Sequence, residues 1–169
     1  MFSAHDHSDI DRFFRGLTEY AFHTRLGVVD PPLVDYVSFL LVRFLRNDRS
    51  HPLPAPCAAE AADVARLLAD AAGHAAAEAA IQEYRHIGDI TLFWSGVYPE
   101  ALKPKPLDPR GRADRLAAYR ETGNRAYWLA STLEPADADD ERRLLERLSQ
   151  EYDLCVEGLA EVRRIWGEG

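Results

Sequence analysis

Apolar residues return at three- and four-residue steps in nearly every stretch between breakers, and the strict alternation of a half-buried strand is absent. The chain therefore reads as all-α, a single bundle of five to six helices. A first helix is predicted from about Ser8 to Leu26, with Ile10, Phe13, Phe14, Leu17 and Ala21 on one apolar face and Gly27 placed to end it. Asp30 followed by Pro31 marks the start of a second, which turns Val34, Val37, Leu41, Phe44 and Leu45 inward and stops near Asn47. Three prolines between Asp48 and Pro56 make an extended connection. The Ala-rich stretch from Cys57 to Tyr98 reads as two helices meeting near Gly73.

Four prolines between Pro99 and Arg112 give a second connection, and a further helix follows over about Ala113 to Leu133 with Leu116, Tyr119, Gly123, Tyr127 and Ala130 on its buried face. Pro135 prevents its continuation, and Asp137, Asp139 and Asp140 favour a new helix start through the macrodipole. The final helix is predicted to run unbroken to about Trp166. Its residues Leu145, Leu148, Tyr152, Cys155, Leu159, Val162 and Trp166 step by three and four, a heptad seam suited to shallow-angle packing. The whole chain, 1–169, reads as one domain with a flexible lead at 1–8 and connections at 48–56, 99–112 and 134–138.

Composition narrows what such a bundle can do. With 169 residues and 47% hydrophobic content, the chain can bury a core without disulfide or metal staples. A formal charge of -8 opposes binding to nucleic acid or to an anionic membrane surface. Cys57 and Cys155 lie far apart without metal or redox spacing, as expected of reduced thiols in a cytoplasmic protein. The N-terminus lacks the basic start and apolar run of a secretory signal. The most apolar segment, Leu33 to Leu45, contains Asp35 and Arg43 and is too short for a bilayer core of about 30 Å. No cofactor, nucleic acid or membrane is expected; the partner is a protein or a second copy of this chain.

The richest chemistry lies between Glu83 and Pro99, where Glu83, Arg85, His86 and Asp89 share a helix with Phe93, Trp94 and Tyr98. Glu83 and His86 form a Glu-x-x-His pair on one helical face, the spacing that carboxylate bundles use for a divalent metal. Here it occurs once, and Glu60, Glu78, Glu121 or Glu151 would have to complete the ligand set. His5 and His7 beside Asp6 and Asp9, and His74 with Glu78, are weaker metal-binding patterns, each with an ordinary surface alternative. Gly88, Ser95 and Gly96 permit close backbone approach, which would draw Asp89 inward and require a donor there. Arg43, Arg120, Asn124 and Arg125 stand on other helices for that role, with Tyr127 on a related turn. Arg85, His86, Asp89, Arg120 and Asn124 thus make either a network that fixes helix packing or a ligand pocket. Arg110, Arg112 and Arg115 could grip a phosphate at a helix start, or simply be solvated.

Phosphate loops, nucleophile elbows, zinc-protease motifs and Cys/His clusters are absent from the sequence. The order Arg85-His86-Ile87-Gly88-Asp89, Leu92-Phe93, Ser95-Gly96, Pro99-Glu100, then Gly123-Asn124 between Tyr119 and Tyr127, resembles a group of small all-α uncharacterised bacterial proteins sharing a Gly-Asp, Leu-Phe, Gly, Pro-Glu pattern. The resemblance spans roughly Val34 to Val162 and implies architecture alone. The leading expectation is a non-enzymatic protein–protein interaction or adaptor module with Trp94, Trp128 and Trp166 as candidate anchors. The alternative is a metal- or ligand-binding bundle around Glu83, His86 and Asp89.

Overall fold

The computed structural model describes residues 4–47, 76–102 and 115–168, with the side chains of 4–8 and 47 excepted. Among these residues there are six α-helices and no strand: α1 (Ala4–Tyr20), α2 (Pro31–Asn47), α3 (Ala77–Val97), α4 (Arg115–Leu133), α5 (Asp139–Gln150) and α6 (Tyr152–Gly167). A π-helical turn, Ala21–Arg25, prolongs α1, and a 3-10 turn, Pro99–Leu102, follows α3. The all-α reading is therefore correct. The connection at 48–56, most of that at 99–112, the meeting of helices near Gly73, and Cys57, Glu60, His74, Arg110 and Arg112 lie outside the described residues.

The chain divides into two compact units. The first comprises Met1–Leu53 with Glu157–Gly169, and the second is the uninterrupted stretch Pro54–Val156. Helix α6 contributes its first five residues to the second unit and the remainder to the first.

In the first unit, α1 packs on α2. Gly27 takes a left-handed φ of 69°, a conformation cheap only for glycine, and the Val28 amide closes back onto the Phe22 carbonyl at 2.9 Å. Asp30 caps α2 as the sequence predicts, accepting the Leu33 amide at 3.3 Å. Leu33, Val34, Val37, Leu40, Leu41 and Phe44 are buried. Helix α1 begins at Ala4, so Ser8, its predicted start, lies inside it. Its apolar stripe is only half used: Phe14 and Ala21 are buried, whereas Ile10 is 44% and Phe13 55% exposed. The inward face is instead completed by Thr18, whose hydroxyl satisfies itself on the Phe14 carbonyl at 2.7 Å and so enters the core without an orphaned donor. Phe22 lies directly over Gly158, where a side chain would collide with its ring.

The second unit is built on α3. It packs extensively against α4, which in turn lies on α5. Ile81, Tyr84, Ile87, Leu92, Phe93 and Val97 of α3 are buried, together with Tyr119, Ala126, Tyr127 and Ala130 of α4. The heptad residues Leu145, Leu148, Tyr152, Cys155, Leu159 and Val162 are buried, but the last helix is not continuous. Glu151 leaves helical geometry at φ -103° and ψ 24°, separating α5 from α6. No glycine or proline causes this break; it falls next to Tyr152, whose hydroxyl is bonded to α3. No helix among the described residues is long and apolar enough to cross a membrane.

Candidate functional site

The predicted cluster on α3 separates into a wet edge and a dry centre. Glu83 is half-buried and His86 is exposed. Arg85, also half-buried, pairs with Glu141 at 3.3 Å. Glu78 and Glu121 are exposed, and among the described residues no group of three His, Cys, Asp or Glu side chains is placed to hold a metal ion.

Asp89 follows the opposite course and is 3% exposed, because Gly88 beside it brings α3 close to α4. A Cβ at position 88 would stand 2.7 Å from Cε1 and 2.8 Å from Cδ1 of the Tyr127 ring, so only hydrogen fits. That approach delivers the Tyr127 hydroxyl, which donates to the Asp89 carboxyl group at 2.7 Å. A buried carboxyl group must find such a donor, since its desolvation is otherwise uncompensated.

One turn along, a second contact of the same design joins α3, α4 and α6. Thr91 donates back to the Ile87 and Gly88 carbonyls at 2.8 and 2.9 Å, which leaves its oxygen to accept from the Tyr152 hydroxyl at 3.1 Å. Gly123 of α4 faces this pair, and an added Cβ would meet Thr91 Oγ1 and Tyr152 Oη and stand 2.6 Å from Tyr152 Cζ. Burial pushes the Tyr152 phenol well above its ordinary value, against the smaller opposing effect of its hydrogen bond to Thr91. The Tyr127 and Tyr152 rings lie 6.1 Å apart, so the two contacts form one block.

Two of the expected donors make contacts with α5 and α6. Arg120 pairs with Asp153 at 3.7 Å, and the Asn124 amide donates to the Ser149 carbonyl at 2.6 Å, tying α4 to α5. Arg43 and Phe44 make a cation–π contact at 5.0 Å in the first unit. From the sequence, Tyr152 stands on an apolar seam with no polar task, and Tyr127 stands beside the candidate donors without being one of them. Their signal was available in the hydroxyl itself, because a tyrosine on a buried seam needs a hydrogen-bond partner.

Chemically, the block commits each phenolic proton to an acceptor within it. Asp89, Tyr127, Thr91 and Tyr152 hold three helices in register through directional contacts that a sliding apolar interface would lack. Comparison with protein-family models, curated proteins and solved structures returned no match.

Proposed function

We propose that this chain is a non-enzymatic protein–protein interaction module whose first unit presents an aromatic face to a protein partner or to a second copy. The observation that carries this reading is the cluster of Phe13, Phe14 and Trp166. The Phe14 ring meets Phe13 at 5.2 Å and Trp166 at 5.1 Å, both edge to face. Phe14 is buried, but Phe13 remains 55% and Trp166 42% exposed, with Ile10 also on the surface of α1. Rigid aromatic groups of this kind bring large area at low entropic cost and dominate interface energetics. Fully burying one such side chain is worth about 1.5–3 kcal/mol.

The competing reading, a metal- or ligand-binding bundle around Glu83, His86 and Asp89, draws less support. The carboxyl group of Asp89 is engaged by Tyr127, while His86 lies in solvent.

The test is a double variant, Phe13→Ser with Trp166→Ser, compared with the wild type by light scattering over a concentration series and by cross-linking mass spectrometry. Self-association or a cross-linked partner mapped to Phe13 and Trp166, and lost in the variant at unchanged helix content, is the expected result. Associations that survive both substitutions, or none at any concentration, would overturn the proposal.

A further inference from the structure

We draw no further inference here: the strongest candidate, the open groove of about 460 Å³ between α1 and α2 lined by Asp11, Arg15, Asp35, Phe39, Val42 and Arg46, carries nothing because Arg15 answers Asp35 and Arg46 answers Asp11 in ion pairs and nothing in the structure shows what covers its apolar floor.

Discussion

Replacing Gly123 by alanine adds one methyl group where α4 faces Thr91 and Tyr152, and the physical consequences oppose one another. In an unconstrained helix the change is favourable by about 1 kcal/mol, because glycine loses more backbone freedom on folding. At this position the new carbon would stand 2.6 Å from Tyr152 Cζ, against the roughly 3.5–4.0 Å at which carbon atoms pack. Ring and helix must therefore part by about 1 Å, an overpacking that costs about 1–3 kcal/mol. The shift also pulls the Tyr152 hydroxyl from Thr91, a buried hydrogen bond worth about 0.5–1.5 kcal/mol. The expected net loss is about 2 kcal/mol, which moves a urea midpoint down by about 1 M for a slope near 2 kcal/mol/M. Gly16, whose added Cβ would meet nothing within 4 Å, supplies the control: Gly16→Ala should stabilise its unit by up to about 1 kcal/mol. The assay is urea unfolding followed by circular dichroism, with Tyr152→Phe as a third variant. Removing the phenolic oxygen relieves part of the collision, so Gly123→Ala with Tyr152→Phe should cost less than the two changes summed. A Gly123→Ala protein as stable as the wild type, or strictly additive effects, would refute the packing described for this block.

Tyr127→Phe should destabilise the protein by about 1–3 kcal/mol in the same assay, since it removes the donor at 2.7 Å from a buried carboxyl group. In an alkaline absorbance titration, Tyr152 should stay protonated after exposed tyrosines have ionised, and Tyr152→Phe should leave that early phase unchanged. Because its folded value is raised, the associated stability is intact below about pH 10 and falls above it, where the unfolded chain releases the proton first. Glu161 behaves in the reverse sense: hydrogen bonds from Arg164 and Arg25 lower its pKa from an ordinary 4.5 to about 2. Its contribution is complete above pH 4.5 and lost between there and about pH 2. Glu161→Gln should flatten the acid limb of stability over that window, measured as the urea midpoint against pH, and added salt should shrink the difference.

Helix identity was legible because it depends on local periodicity, and Asp30, Gly27 and the buried heptad residues act as their types predict. The break at Glu151 was not, because glutamate is a good helix former and the interruption has no local breaker. Exposure of Ile10 and Phe13 was equally hidden, since a stripe specifies a face that can be covered, not what covers it. At the candidate site, Gly88 with Ser95 and Gly96 signals the inward Asp89, which is buried. That Tyr127 is a donor to it rests on which turn of α4 comes opposite, a tertiary fact. The division into two units left no mark in composition, because both are built from the same helical patterns.

That division sets an order of events during synthesis. Residues of the second unit emerge from the ribosome as one run, so its contacts are available as soon as Val156 is free. The first unit must wait: Gly158, which seats the Phe22 ring, and Glu161, which holds Arg25 at 2.8 Å, are made only after the whole of the second unit. Closing that unit means joining segments separated by roughly 100 residues, a loop whose entropy cost falls if the intervening chain has already condensed. A ribosome paused just after Val156 would therefore hold a helical pair, α1 and α2, still lacking its third wall.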